Sequence, residues 1–150
     1  MMQVEMLEAR AAIADLVHTY ALNIRRGNGA DCAALFTEDA VFEIGDAMLD
    51  GRNPVQVRTS LKGRDVIRAY LVRAAGSGVR VYPMIHNLLI EVEGWRATSS
   101  CLMTGRVSKG QGVFGEYRDS FQFDKGWRFS ARVFTILSSE APSSANGESG

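Results

Sequence analysis

Apolar residues at helical spacing dominate the first part of the chain. They recur every three or four positions and so form one stripe along a helix: Met6, Ala9, Ile13, Leu16, Val17, Tyr20 and Ile24. We predict a first helix over about residues 4 to 26. The segment "RRGNGA" supplies cations and then glycines, which favour a helix C-terminus there.

The middle of the chain predicts shorter elements. After a short helix in "DCAALF", "TED" ends the helical pattern and "AVFEI" is typical of a strand. Residues 45 to 61 contain glycines, an asparagine and a proline, so we predict a long irregular connection. The helical period returns in "GRDVIRAYLVRAA" and ends at "GSG", which predicts a third helix.

The apolar period then changes from helical spacing to strict alternation. It indicates four strands joined by short turns, near residues 79–93, 96–108, 112–124 and 127–138. Such a run predicts an antiparallel meander. Helices followed by a mainly antiparallel sheet indicate an α+β fold with the helices on one sheet face, and a curved sheet would leave an apolar pocket between the layers.

Composition and charge narrow the function classes. Of 150 residues, 46% are hydrophobic, which fits one globular domain over residues 1–137, with a flexible polar tail over 138–150. Lys and Arg total 17 and so do Asp and Glu, which argues against binding to nucleic acid or a membrane surface. The amphipathic N-terminus is not typical of a signal peptide or a membrane span. We expect a cytoplasmic protein with reduced, buried cysteines and no metal site.

Four stretches of the chain resemble a known family: "LVHTYALNIRRGNGADCAALFTEDAVFE", "LKGRDVIRAYL", "HNLLIEVEGWRAT" and "GEYRDSFQFDKGWRFSARVF". Their order is similar to the SnoaL-like and scytalone dehydratase-like branch of the nuclear transport factor 2-like superfamily. That superfamily includes polyketide cyclases, steroid isomerases and small subunits of ring-hydroxylating dioxygenases. The resemblance implies a cone-shaped, strongly curved, mainly antiparallel sheet with three N-terminal helices on its concave face (a cystatin-like roll). It also implies chemistry without a cofactor.

The resemblance draws attention to residues on the first helix and the first long strand. Dehydratase-like relatives carry a carboxylate five residues after the tyrosine that matches Tyr20, paired with a strand histidine. Here that helix position is Arg25, which can only donate and suits an anionic ligand. His86 adjoins Asn87, the match to the family asparagine, so a regular strand points the two in opposite directions and only a bulge brings both inward. His86 is one candidate acid–base group; the alternative is a strand-end histidine bonded to backbone, with Asn87 a buried amide between strands.

The third meander strand supplies the other candidate acid–base group. Alternation places Tyr117 and Asp119 on one face with Phe121 and Phe123, so Asp119 should be partly buried. A buried carboxylate serves either as an acid–base group or in a salt bridge. For the salt bridge, the candidate partners are arginines on neighbouring elements: Arg25, Arg106 and Arg132. Two tyrosines, Tyr20 and Tyr82, could donate to a substrate carbonyl, although the spacing of Tyr20 also fits a core residue. The remaining candidates for substrate binding are Arg25, Asn87 and Tyr117.

Two functions are compatible with these residues. The first is a cofactor-free dehydratase, isomerase or cyclase that acts by proton transfer on a small hydrophobic ring-containing ketone or phenol. The second is a non-catalytic ligand-binding or scaffold module like the small subunit of a ring-hydroxylating dioxygenase. A partly apolar outer sheet face around Leu102 also predicts a homodimer or higher homo-oligomer.

Overall fold

The computed structural model describes residues 2–47, 56–108, 110 and 112–139. Three helices and six strands follow one another in this order: α1 (Gln3–Arg26), α2 (Gly29–Ala33), β1 (Phe36–Asp46), β2 (Gln56–Lys62), α3 (Arg64–Ala75), β3 (Val81–Glu93), β4 (Arg96–Val107), β5 (Gly112–Phe123) and β6 (Trp127–Ser139). The α+β class predicted from the sequence is confirmed. The predicted tail beyond Ser139 lies outside the described residues.

Helix α1 forms because its apolar stripe has a surface to cover. Its buried residues recur at helical spacing: Ala9, Ile13, Val17 and Tyr20. The helix ends at Gly27, whose φ of 74° is left-handed and whose amide donates to Ile24 O at 3.1 Å. The predicted first helix is therefore confirmed to within a residue at each end.

All six strands form one mixed sheet in the order β2-β1-β6-β5-β4-β3. Neighbouring strands run antiparallel except β1 and β6, which are parallel. Helix α1 packs close to β3 and β6 but stands farther from β4 and β5, which lie between them. The sheet is therefore concave beneath α1, and large side chains fill the space.

Three local predictions need correction. Residues 56–61, expected to be irregular, belong to strand β2, whose sequence "QVRTSLK" has too little apolar content to show a pattern. The strand predicted from "AVFEI" begins earlier, at Phe36, so "TED" lies within β1. The pairing of β1 with β6 shifts between Phe36 and Val41, which surround this segment. Helix α2 starts earlier than predicted, at Gly29, where a Cβ atom would lie 2.5 Å from Leu71 O. Only glycine allows that contact with α3.

Candidate active site

A buried ion pair lies on the concave face of the sheet, beneath α1. Asp119 on β5 and Arg132 on β6 face each other, with Oδ1 and Nε 3.0 Å apart and both side chains fully inaccessible. This confirms the salt-bridge hypothesis for Asp119 and identifies Arg132 as the partner. The other two candidates, Arg25 and Arg106, are exposed.

The strand geometry explains how both charges come to point inward. Alternation on β5 buries Tyr117, Asp119 and Phe121 on one face. On β6, Phe129 and Arg132 are both buried although three positions apart, because the pairing between β5 and β6 shifts between Ser120 and Phe121. This irregularity places Arg132 directly opposite Asp119.

Aromatic rings surround the Arg132 guanidinium. Its central carbon lies 3.5 Å from the centroid of the Tyr117 ring, 4.3 Å from that of Tyr20 and 4.7 Å from that of Phe129. Rings at these distances stabilise the cation through their π faces and keep water away from it. Nη1 and Nη2 are buried and have no hydrogen-bond acceptor among the described residues. We call Tyr20, Tyr117, Asp119 and Arg132 the buried polar cluster.

Burial raises the pKa values of the acidic groups in this cluster. It raises the pKa of Asp119 to about 6, even though the charge of Arg132 and a hydrogen bond from Ser99 Oγ (3.5 Å) act in the opposite direction. It also raises the pKa of Tyr117 to about 12 and that of Tyr20 well above its usual range. At neutral pH the cluster therefore holds a carboxyl group that can gain or lose a proton, two neutral phenols and one cation.

The two cysteines lie at the edge of the cluster and are free and buried, as the sequence predicted. Burial raises the pKa of Cys32 to about 12 and that of Cys101 to about 11. Both remain protonated thiols at neutral pH, so neither acts as a nucleophile there. Cys32 Sγ donates to Tyr20 O at 3.6 Å and so ties α2 to the helix that carries the phenol.

His86 does not join the cluster. It is exposed on the opposite, convex face of the sheet, where its Nε2 lies 2.7 Å from Thr104 Oγ1. The sequence left open whether its imidazole reaches the pocket, and in the structure it does not, because the irregularity of β3 follows His86 instead of preceding it. Asn87, at that irregularity, has a φ of 54° and is also exposed, so it is not a buried amide between strands.

Of the other sequence candidates, Tyr20 and Tyr117 belong to the cluster, whereas Tyr82 and Arg25 do not. Tyr82 is 45% exposed on β3, on the same face as His86. Arg25 is exposed in the last turn of α1, where its carbonyl oxygen accepts a hydrogen bond from Arg80 Nη1 at 3.3 Å. The structure thus unites three of the seven candidates, and Arg132 replaces Arg25 as the cation of the site.

An apolar cavity of about 110 Å³ lies at one end of the helical layer, between the last turns of α1 and α3 and the start of β3. It corresponds only in part to the expected pocket, because β3 alone of the meander strands contributes to its wall.

In the described part of the chain, no group of three or more His, Cys, Asp or Glu side chains is placed to hold a metal ion. No helix there is long and apolar enough to cross a bilayer.

The raised pKa of Asp119 predicts a specific pH dependence of stability. Between about pH 4 and 6 the folded protein holds the Asp119 proton more readily than the unfolded chain, whose carboxyl keeps the ordinary pKa of 3.8. This proton binding stabilises the folded state by about 3 kcal/mol relative to high pH. The stabilisation is fully present below pH 4 and is lost as the pH rises through 6.

Urea unfolding of the wild type and Asp119→Asn at several pH values from 4 to 7 tests this expectation. The wild type should lose stability relative to the variant as the pH rises, because the amide cannot ionise. A difference between the two proteins that stays constant over this range would show that the pKa of Asp119 is not raised.

The chain matches the SnoaL-like domain family over residues 5–133. It belongs to that family. No curated protein matches the sequence. The resemblance stated from the sequence is therefore confirmed.

Solved structures share the fold of this SnoaL-like domain. A candidate scytalone dehydratase from Novosphingobium aromaticivorans superposes with a TM-score of 0.76 at 20% identity, covering 93% of this chain and 91% of that one. The beta subunit of a candidate aromatic-ring-hydroxylating dioxygenase from the same organism gives 0.72 at 17% identity, covering 91% and 93%. A Mycobacterium tuberculosis protein of unknown function gives 0.72 at 28% identity, covering 91% and 76%.

Arg132 is the site residue whose role the sequence left most open. Simple alternation puts Arg132 and Phe129 on opposite faces of their strand, and only the pairing shift brings both inward. One sequence feature did point to this role: Arg132 is the single arginine within the largely apolar run "FSARVFTIL". If such a strand is buried, its arginine needs a partner of opposite charge.

Proposed function

We propose that this SnoaL-like domain is a cofactor-free enzyme that acts by proton transfer at the buried polar cluster. The observation that carries the proposal is the Asp119 carboxyl group, whose pKa of about 6 lies near the pH at which proteins work. A general acid or base is most effective when its pKa is close to the operating pH. Asp119 takes the role that the sequence had suggested for His86.

Each member of the cluster has a distinct role. The ionised Asp119 removes a proton from the carbon next to a substrate carbonyl, and the carbonyl oxygen becomes an enolate. Arg132, a permanent cation with two unpaired amino groups, and the Tyr117 phenol donate hydrogen bonds to that oxygen. The protonated Asp119 then returns the proton, either to a leaving hydroxyl, which departs as water, or to another carbon, which moves the double bond.

The surroundings of the cluster favour a small, flat, hydrophobic substrate. The core beneath α1 consists of aromatic rings packed at stacking and edge-to-face distances, including Phe36 and Phe129 with centroids 5.1 Å apart. Such rings suit a ring-containing ketone or phenol. Because the side chains of Asp119 and Arg132 are fully buried, α1 or the Tyr20 ring must shift to admit a substrate.

One observation favours the second candidate, a ligand-binding module without catalysis. The Asp119 carboxylate already faces an arginine and lacks an imidazole beside it, and a buried ion pair of this kind also occurs as a purely structural feature. In that case Arg132 would recognise a ligand oxygen and no proton would move.

A two-stage experiment separates the two candidates. Ring ketones and phenols are first screened by thermal shift, and every binder is then assayed for water loss or double-bond migration by mass spectrometry and NMR. Conversion of a binder supports the enzyme. Tight binding with no conversion at pH 5 to 8 would reject the enzyme and leave the ligand-binding module.

We also propose that the protein forms a homodimer through the convex face of the sheet. Two large apolar side chains of β3 are strongly exposed there, Met84 at 56% and Leu89 at 70%. Leu89 borders a groove that crosses β4, β5 and β6 and contains both Glu91 and Arg118. A face that carries apolar side chains and charges of both signs can be self-complementary across a two-fold axis.

Leu89→Glu should therefore convert the dimer into a monomer, since the new charge would be buried against the partner subunit. Light scattering at tens of micromolar should give twice the chain mass for the wild type and the single chain mass for the variant. Val66→Glu on α3 is the matched control, because Val66 is 49% exposed on the helical side. A wild type that is monomeric at this concentration would contradict the assembly.

A further inference from the structure

The apolar cavity at the end of the helical layer, the helix-end cavity, has no role in the proposed chemistry. None of its lining residues belongs to the buried polar cluster. Its walls are mainly aliphatic and come from α1, α2, α3, β3 and the segments that follow α1 and precede β3: Asn23, Ile24, Gly27, Gly29, Leu71, Ala74, Ala75, Val79, Arg80 and Val81. Arg80 is the one charged residue among them.

Hydrogen bonds hold Arg80 in place at this cavity. Its backbone N–H donates to Ser108 Oγ at 2.9 Å, and its carbonyl oxygen accepts from the Ser108 N–H at 2.7 Å. Its Nη1 donates to Arg25 O at the end of α1. The guanidinium also lies against Gly27, where a Cβ atom would come within 2.9 Å of its central carbon. Arg80 is thus positioned before any ligand arrives.

The charge of Arg80 is not neutralised locally. Among the residues that the structure describes, no carboxylate oxygen lies within ion-pair distance of its guanidinium. Two further arginines, Arg25 and Arg26, occupy the last turn of α1. Their side chains are exposed and do not line the cavity, so Arg80 is the cation available to an anion bound there.

We propose that the helix-end cavity binds a small monocarboxylate with a compact apolar body. The apolar body fills the space between Ile24, Leu71 and Val81, and the carboxylate pairs with the fixed guanidinium of Arg80. The volume of about 110 Å³ is of the same order as the ~150 Å³ cavity that admits a benzene ring, so one ring or a short branched chain fits. A planar guanidinium that is already held in place binds a carboxylate with little further loss of side-chain entropy.

The experiment compares charged and neutral probes of equal shape. Benzoate and isovalerate are titrated into the full chain, with benzamide and 3-methylbutan-1-ol as neutral counterparts, and amide NMR spectra are recorded. We expect the carboxylates to bind and to shift the amide signals of Gly27, Gly29 and Ala75. The neutral probes should bind at least ten times more weakly.

Two variants test the two halves of the site. Arg80→Gln removes the cation and should weaken carboxylate binding at least tenfold. Ala75→Leu keeps the cation but fills the cavity, so binding should be lost while the chain remains folded. Arg58→Gln is the matched control: Arg58 is exposed and pairs with Asp46 on the β1–β2 hairpin, so its loss should leave binding unchanged.

Three results would overturn the proposal: no amide shifts at millimolar carboxylate, shifts centred on other residues, or equal binding of neutral and charged probes. Carboxylate affinity that survives both Arg80→Gln and Ala75→Leu would do the same. None of these results bears on Asp119, so this site and the proposed enzyme activity can fail independently.

Discussion

Replacing Asp119 and Arg132 together by Leu and Met is expected to raise the unfolding free energy by about 1–4 kcal/mol. The reason is that burial raises the pKa of Asp119 in spite of the adjacent guanidinium, so the loss of hydration outweighs the attraction between the two charges. Apolar side chains of similar volume avoid that cost and can pack against Tyr117 and Phe129. Urea unfolding at pH 7 measures the difference.

The single variant Arg132→Met is the informative comparison. Without the guanidinium, the pKa of Asp119 should rise further, so the carboxyl group resists ionisation in the folded state. At pH 8 the variant should lose about 3–5 kcal/mol, the usual cost of one uncompensated buried charge, and at pH 5 most of that loss should disappear. A double variant less stable than the wild type by more than ~2 kcal/mol would show that the pair holds the fold together.

The second large effect concerns turnover. With any substrate found in the screen, Asp119→Asn should lower kcat by roughly 10²–10⁴-fold, the usual contribution of a positioned proton-transfer group. The amide keeps the shape of the carboxylate, and its oxygen can face the Arg132 guanidinium as the carboxylate does, so binding should persist. The pH profile of kcat/KM for the wild type should show an inflection near pH 6 that the variant lacks.

His86→Gln is the matched control for that experiment. His86 lies on the convex face beside Thr104, so its replacement should leave turnover unchanged. A large loss of activity in His86→Gln together with full activity in Asp119→Asn would reject the assignment of the buried polar cluster and restore the histidine hypothesis drawn from the sequence.

The meander and α1 could be predicted from the sequence because their apolar periods are long and regular. Each of the four predicted strands begins and ends within two residues of the observed bounds. Turns such as "EG" and "DKG" interrupt the alternation clearly and so mark these bounds. Strand β2 could not be predicted, because "QVRTSLK" buries only Leu61 and so lacks an apolar face. The parallel pairing of β1 with β6 also leaves no local signal, since it joins distant segments.

At the site, the alternating pattern of β5 was sufficient to predict that Asp119 is buried. It could not predict which arginine pairs with Asp119. The choice depended on a pairing shift between β5 and β6, which is set by packing across the sheet and has no sequence mark of its own. The same limit explains His86. Whether a bulge precedes or follows a residue decides which face its side chain takes, and here it follows.

The parallel pairing of β1 with β6 constrains the order in which the chain can fold. Strand β6 lies between β1 and β5, so it alone joins the β1–β2 hairpin to the meander. During synthesis, β1 cannot pair with β6 until the residues near Phe129 have been made. Until then, that edge of β1 has unpaired backbone groups to which other chains can bind. Contacts between segments so far apart are slow to form, because a long loop must close first. The last of the described strands to be made therefore completes the centre of the sheet, and the buried polar cluster beneath α1 can be enclosed only after it.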